Sequence, residues 1–127
     1  MKKSVEVIKG SNGKQMLMDI TFPEKSNNKL VIFSHGFKGF KDWGCFDLLA
    51  QNFVEKGFTF LKFNFSHNGT TVSDPLNFTD LEAFGNNNFS KELNDLGFVL
   101  DWVENKLSIS DVSLLGHSRG GGISMLK

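Results

Sequence analysis

The sequence of 127 residues predicts an α/β fold: a mostly parallel sheet behind an N-terminal antiparallel hairpin, with about five strands and three helices. After residue 29, segments with strand character alternate with segments of helical periodicity, which is typical of parallel βαβ units with right-handed crossovers. The continuous apolar run Leu30–Phe33 is typical of a strand buried on both faces. Before it, Asn12-Gly13 separates two alternating segments and predicts the turn of a hairpin.

The elements at the start of the chain follow from alternation and from turn residues. Val5 and Val7 alternate with polar residues and predict the first strand. The second strand alternates over residues 16–21 and ends before Pro23, which cannot donate to a sheet ladder. A polar stretch, residues 24–28, then leads into the buried strand at residues 30–33.

The later elements follow from helical spacing and from polar breaks. A helix is predicted over about residues 43–56, with Gly57 suited to end it. Ser90 is the predicted N-cap of a second helix that reaches about residue 107. The remaining predictions, in chain order, are a strand at residues 58–65, a long polar loop at 64–89 that is functional or mobile, a strand at 112–115, and a third helix after Ser118.

The composition excludes several classes of protein. The chain carries 14 Lys+Arg and 14 Asp+Glu, so its formal net charge is +0, which gives no reason to expect nucleic acid or an anionic membrane as a partner. Cys45 is the sole cysteine, which excludes an internal disulfide and a cysteine-based zinc site. No apolar run approaches the roughly 18 residues of a spanning helix, and the first residues show no signal peptide. We expect a cytoplasmic protein without metal or cofactor, with Cys45 in the core.

One pentapeptide carries the main chemical signal. Gly116-His117-Ser118-Arg119-Gly120 matches G-x-S-x-G, the pattern of a sharp strand-to-helix turn that presents a serine at its apex. Side chains two residues to either side of that serine would collide, which explains the two glycines. The strand predicted at 112–115 comes directly before the motif and a helical segment follows it. This context is what the motif requires.

A second signal lies after the buried strand, where His35-Gly36-Phe37 opens a loop. With both motifs, the sequence resembles the α/β-hydrolase family of serine esterases, lipases and peptidases. The resemblance runs from the opening hairpin to the turn at Ser118. Within the family, it is most similar to small bacterial hydrolases of the serine-aminopeptidase or dienelactone-hydrolase type. The fold that this implies is a truncated α/β-hydrolase sandwich.

The resemblance implies a role for each motif residue. Ser118 would be the nucleophile, at a turn known in the family as the nucleophile elbow. The backbone N–H of Arg119 would be one donor of an oxyanion hole, which stabilises the negative oxygen formed during acyl transfer. The N–H of Phe37 is the expected second donor, with Gly36 or Lys38 as alternatives.

Other residues of the two motifs receive structural roles. The resemblance implies that His35 and Gly36 support the oxyanion loop, and that Gly116 and Gly120 shape the elbow. His117 adjoins the nucleophile but is expected to point away from it, so it is not expected to act as the base. Outside the motifs, His67 falls in the long loop and is expected to be solvated.

The resemblance also implies groups that these residues do not supply. In the family, an Asp or Glu and then a His follow the nucleophile, yet none of residues 119–127 is acidic or a histidine. We therefore expect residues 1–127 to be the N-terminal portion of one hydrolase domain, ending just after the elbow, with little or no turnover alone. The elbow strand would then be an unpaired edge, which favours self-association.

Three hypotheses of function follow. The first is a serine hydrolase that cleaves an ester, thioester or amide of a small-molecule or peptide substrate through an acyl-serine. The second is a non-catalytic remnant or interaction module that retains the half-fold. The third is a nucleotide or phosphate binder that uses Gly120–Gly122 at a helix start, but the sequence lacks both the G-x-G-x-x-G order and the P-loop lysine.

Overall fold

The computed structural model describes residues 2–127 as one five-stranded mixed sheet with helices on both faces. A short 3₁₀ turn, Ser11–Gly13, joins the first two strands and contains Asn12 at φ 58°. The elements are β1 (Lys2–Lys9), β2 (Gln15–Phe22), β3 (Lys29–Ser34), α1 (Phe46–Glu55), β4 (Thr59–Phe63), α2 (Leu81–Gly85), α3 (Phe89–Lys106), β5 (Asp111–Gly116) and α4 (Arg119–Leu126).

The sheet has the strand order β1-β2-β4-β3-β5. Strand β3 pairs in parallel with β4 on one side and with β5 on the other, and the hairpin β1-β2 joins antiparallel to β4. The predicted mostly parallel sheet behind an antiparallel hairpin is confirmed. Because β3, β4 and β5 run in one direction, the loops that follow them meet at the same edge of the sheet, where α/β proteins bind ligands.

Alternation along the central strands separates two cores. In β3, Leu30 and Ile32 face α3 and α4, whereas Val31 and Phe33 face α1. All four side chains are buried, as the continuous apolar run predicts. Burial on both faces fixes the sheet between two helical layers, and this holds the loops after β3 and β5 side by side.

Two helix boundaries differ from the sequence predictions. Helix α1 begins at Phe46 and not near Trp43, because Gly44 lies at φ 59°, outside the helical region. The prediction that Ser90 caps the next helix is wrong. Asn88 is the N-cap of α3, and its side-chain oxygen accepts a hydrogen bond from Lys91 N–H at 2.8 Å.

The long segment between β4 and α3 is more ordered than the sequence predicts. It contains the additional short helix α2, whose N-cap Asp80 accepts a hydrogen bond from Ala83 N–H at 3.1 Å. Every residue from 61 to 70 is buried. The carboxylate of Asp95 accepts hydrogen bonds from both the N–H and the hydroxyl of Ser66, at 2.9 and 2.8 Å, and so fixes the start of the segment to α3.

Two expectations about single residues are wrong. Cys45 is exposed, because it precedes α1 and does not lie on that helix's apolar face. His67 is buried and not solvated, because the segment after β4 packs against α3, where the neighbouring Ser66 is hydrogen-bonded to Asp95. Within residues 2–127, no helix is long and apolar enough to cross a membrane.

Candidate active site

The turn between β5 and α4 holds Ser118 in an unusual backbone conformation. Strand β5 ends at Gly116 and α4 begins at Arg119, so two residues reverse the chain. Ser118 lies at φ 56° and ψ −119°, a backbone conformation that residues other than glycine rarely adopt. Its side chain is exposed. Such strain persists only where the surroundings enforce it, and it is concentrated at functional sites.

The surroundings that enforce this turn are backbone atoms. A Cβ on Gly120 would lie 2.1 Å from Ser34 O and 2.4 Å from His35 O, and one on Gly116 would lie 2.3 Å from Gly121 N. Real Cβ atoms do not approach so closely. The glycines two residues to either side of Ser118 are therefore required by the closeness of β5, α4 and the end of β3.

The loop after β3 packs directly against this turn. His117 N–H donates a hydrogen bond to Ser34 O at 3.1 Å. A Cβ on Gly36 would lie 3.1 Å from His117 O and 3.2 Å from Ser118 Cβ. The structure therefore brings together the two motifs that lie some 80 residues apart in the sequence.

The backbone N–H groups around Ser118 are not equivalent. Gly120 N–H donates to His117 O, and the N–H groups of Gly121 and Gly122 donate to Ser118 O. Arg119 is the first residue of α4, so its N–H has no carbonyl to pair with inside the helix. Across residues 2–127, no backbone carbonyl accepts a hydrogen bond from Arg119 or Phe37 N–H. Both groups remain able to bind an oxygen of a ligand.

His35 is a buried structural residue. Its Nδ1–H donates to Gly36 O at 2.9 Å, and its Nε2 accepts from Phe65 N–H at 3.2 Å. Burial lowers the pKa of His35 to about 4, although the hydrogen bond to Gly36 opposes that change. The ring is therefore neutral at physiological pH. With both nitrogens engaged, it links the loop after β3 to the end of β4.

His117 lies beside Ser118 on the open side of the turn. Its ring packs against Trp43 and Phe46, with centroid distances of 6.1 and 5.6 Å. These residues, with Ser118 and Gly36–Gly39, line a cleft of about 280 Å³. Within residues 2–127, the Ser118 hydroxyl makes no hydrogen bond to a histidine or a carboxylate, so the described part of the chain supplies no base at the serine.

The Arg119 side chain has an anchoring role that the sequence does not reveal. Its Nε donates to Glu92 of α3 at 2.5 Å, and its guanidinium lies 4.2 Å from the centre of the Phe89 ring. The centre of the Phe37 ring lies 5.9 Å from the same guanidinium. Burial raises the pKa of Glu92, and the hydrogen bonds from Asn87 and Arg119 only partly oppose this. Arg119 thus ties the turn at Ser118 to the start of α3.

A buried ion network, which the sequence analysis did not predict, joins the loop before α1 to β2 and β4. Lys41 donates to Asp19 and Asp42, each at 2.6 Å, and Lys62 donates to Asp42 at 2.6 Å and to Asp47. The side chains of Lys41 and Lys62 are only 4% and 3% exposed. The one sequence signal was a charged residue inside an apolar strand: Lys62 interrupts the run at 58–65 and Asp19 the run at 16–20. The network holds the loop before α1 on the sheet.

His67 contacts the hydroxyl of Ser66 and does not line the cleft at Ser118. Ser66 Oγ and His67 Nδ1 lie 2.7 Å apart, and the same hydroxyl donates to Asp95. The pKa of His67 is lowered by burial and by the positive charge of Lys91. Within residues 2–127, no group of three His, Cys, Asp or Glu side chains is arranged to hold a metal ion.

The chain is similar to known hydrolases in sequence and in structure, although no family model matches it. It is 30% identical over 105 residues to "Putative esterase/lipase 2" of Mycoplasma genitalium, an alignment that covers 83% of this chain and 34% of that protein. An α/β serine hydrolase homologue from Coxiella burnetii superposes with a TM-score of 0.73 at 27% identity, covering 98% of this chain and 56% of the other.

Further solved structures share the fold at lower identity. Est1E from Butyrivibrio proteoclasticus, solved with ferulic acid, has a TM-score of 0.77 at 22% identity, with 95% of this chain and 45% of that chain covered. The chain thus spans about a third of the curated relative and about half of the solved structures. The sheet order, the two motifs and these likenesses together show that the chain has the fold of the α/β serine hydrolases and is similar to them in sequence.

Proposed function

We propose that the chain carries the nucleophile and the oxyanion hole of a serine hydrolase that cleaves esters of small molecules through an acyl-Ser118. The observation that carries the proposal is the strained, exposed Ser118, which lies next to the unused N–H of Arg119 and against the loop of Phe37. The relative named as an esterase/lipase favours an ester substrate over a thioester, an amide or a peptide.

The proposed chemistry uses these groups in two steps. Ser118 Oγ attacks the carbonyl carbon of the ester, and the carbonyl oxygen becomes an anion that accepts hydrogen bonds from Phe37 and Arg119 N–H. Each such donor is worth about 3 kcal/mol in the transition state. The bond to the leaving alcohol breaks as that alcohol gains the Ser118 proton. Water then hydrolyses the acyl-serine, which releases the acid and restores the hydroxyl.

The proton must pass through a base that residues 2–127 do not place at Ser118. We propose that residues 1–127 form the N-terminal portion of a single hydrolase domain, ending just after the elbow. In this proposal the acid and the histidine follow Lys127, in agreement with the half-length overlap with the solved structures. Without them, turnover should fall by about 10⁶, as when the base is removed from a serine triad.

The proposal is tested first by the coding sequence downstream of Lys127. An in-frame continuation that contains an Asp or Glu and then a His supports it. A stop codon directly after Lys127 would favour a non-catalytic remnant.

A second test is turnover of p-nitrophenyl acetate by the protein from the complete reading frame. Ser118→Ala should abolish turnover, because it removes the atom that becomes acylated. The matched control is Ser124→Ala: this serine lies on α4, the helix that follows Ser118, and its hydroxyl donates to Gly120 O. Ester cleavage that survives Ser118→Ala at the wild-type rate would refute the nucleophile.

A specific observation favours the alternative, an interaction module that self-associates through β5. Strand β5 pairs with β3 on one side only among residues 2–127, and it presents Val112 at 40% exposure with a single charged residue, Asp111. The opposite edge, β1, carries three lysines and one glutamate, which discourage pairing of strands between molecules. Self-association would therefore use β5.

Sedimentation of the 127-residue chain tests this alternative. Val112→Lys should convert a dimer to a monomer, because it places a charge on the open edge. Val7→Lys, a matched change on β1 at 45% exposure, should leave the dimer intact. A wild-type chain that is monomeric at high concentration would contradict self-association.

A further inference from the structure

We propose that an apolar pocket between the loop after β3 and α2 binds an apolar group of the ester, about the size of a phenyl ring. Phe78, Leu81 and Phe84 line this pocket, with Lys38 at its rim, and its volume is about 200 Å³. The inference rests on the proposed function of Ser118 and names the substrate class of that site. We refer to it below as the α2 pocket.

The α2 pocket adjoins the cleft at Ser118. Lys38 lines both of them, and the neighbouring Phe37 lines the cleft while its ring packs on Phe84 at a centroid distance of 5.5 Å. The residue whose N–H is the proposed oxyanion donor therefore has its side chain against the wall of the pocket. In this proposal, a group attached to the reacting carbonyl extends past Phe37 into the α2 pocket.

The wall of the pocket is packed and not a loose loop. Asp80 N–H donates to Gly69 O at 2.9 Å, and the Asp80 carboxylate pairs with Lys14. Gly69, at φ 101°, lets the backbone approach the rings: a Cβ there would lie 3.2 Å from Phe78 Cδ1 and 3.3 Å from Phe84 Cβ. These contacts hold the two rings in place before a ligand arrives, which limits the entropy lost on binding.

The size and lining of the pocket select the ligand. A cavity of about 150 Å³ lined by apolar side chains holds benzene, so 200 Å³ accommodates a phenyl ring or a short alkyl chain. Apart from Lys38 at the rim, the lining residues offer only hydrocarbon side chains. Leu81 is 68% exposed and Phe78 38%, so an apolar ligand would cover surface that water otherwise contacts.

Turnover by the protein from the complete reading frame tests the inference with two ester series. One series lengthens the acyl group of p-nitrophenyl esters, and the other lengthens the alcohol of alkyl acetates, so the results identify which side of the ester enters the pocket. In one series kcat/KM should rise about fourfold per methylene until the pocket is full. Equal kcat/KM along both series would overturn the inference while leaving Ser118 as the nucleophile.

Two matched variants place the effect in the pocket. Leu81→Asp puts a charge on an exposed lining residue and should flatten the chain-length dependence. Leu76→Asp changes an equally apolar residue that is 56% exposed and does not line the pocket, so it should leave the dependence unchanged. A loss of the dependence in both variants, or in neither, would contradict the assignment.

A binding measurement keeps the inference testable if Ser118 proves unreactive. Benzyl alcohol titrated into the ¹⁵N-labelled 127-residue chain should shift the amides of residues 78–84 and of Phe37 and Lys38, and Leu81→Asp should weaken that binding by about tenfold. Shifts elsewhere, or binding that Leu81→Asp does not change, would refute the pocket. Binding at α2 without ester cleavage would refute the proposed function alone.

Discussion

At the scale of single residues, the turn at Ser118 requires that residues 116 and 120 have no side chain. The closest approaches to Gly116 and Gly120 involve backbone atoms, which have no rotamer by which to move aside. This is why the pentapeptide could be interpreted from the sequence: the collisions that require glycine arise within a few residues of the serine and from the strand beside it. The motif therefore predicted the sharp turn and the position of Ser118 at its apex.

Two glycines of α4 give a direct test of this crowding. Gly120→Ala should destabilise the fold by about 3 kcal/mol or more, because its Cβ would overlap Ser34 O. Gly122→Ala is the control, since a Cβ there meets nothing within 4 Å, and it should stabilise α4 by about 0.5–1 kcal/mol. Urea unfolding measures both. Equal stabilities of the two variants would contradict the close approach of α4 to β3.

Other residues of the site could not be predicted, because their partners are distant in the sequence. The Arg119 guanidinium binds Glu92, which is 27 positions away, and packs on Phe89. His67 is buried in a segment that Ser66 ties to Asp95, 29 positions away, and no local pattern encodes that contact. Pairings of this kind depend on the tertiary structure.

At the scale of elements, the buried ion network anchors the loop between β3 and α1 to the sheet. Asp42 bridges Lys41 and Lys62, and Lys62 belongs to β4, so the loop is tied to the sheet at a point near Trp43 and the cleft. Burial by itself would raise the pKa of Asp42, but the hydrogen bonds from Lys41 and Lys62 outweigh burial and lower it. The Asp42 carboxylate thus stabilises the fold in its charged form.

Removing the Asp42 carboxylate should destabilise the fold. Asp42→Asn leaves two buried lysines with less compensation and should lower the free energy of unfolding by about 3–5 kcal/mol at pH 7. Asp47→Asn is the matched control: Asp47 also binds Lys62, but its side chain is 65% exposed, so the loss should be about 0–1 kcal/mol. Equal losses would show that burial does not distinguish the two carboxylates.

The lowered pKa of Asp42 also predicts that the stability of the fold depends on pH. The pKa of Asp42 is lower in the folded protein than its ordinary value of 3.8, so its contribution is complete above that value and is lost as pH falls through the folded pKa. The stability difference between wild type and Asp42→Asn should therefore shrink below about pH 4. A constant difference between pH 7 and pH 3, measured by urea unfolding, would contradict the lowered pKa.

The helices and strands were predictable to different degrees. The apolar run of β3 and the stripes of α1 and α3 are repeated signals, and each identified its element. Ends were less predictable, because they depend on one residue: Gly44 delays α1, and Asn88 rather than Ser90 caps α3. Helix α2 has only five residues and no repeating stripe, so its sequence signal was too weak to separate it from the loop.

At the scale of the whole molecule, the sheet has two different edges. Strand β1 presents charges to solvent, whereas β5, the strand that leads to Ser118, presents an open edge with little charge. This asymmetry agrees with the coverage of the solved relatives, of which the chain spans about half. The mostly parallel sheet behind an antiparallel hairpin was predictable from the alternation of elements, but the spatial order of the strands was not, because strand pairing depends on the tertiary structure.

Covalent trapping shows whether Ser118 is the nucleophile. The protein from the complete reading frame is treated with an organophosphate ester such as diethyl p-nitrophenyl phosphate and is then digested for mass spectrometry. We expect one diethyl phosphoryl adduct, on the peptide that contains Ser118, and none in Ser118→Ala. A stable adduct on another residue, or the same adduct yield in Ser118→Ala, would contradict this assignment.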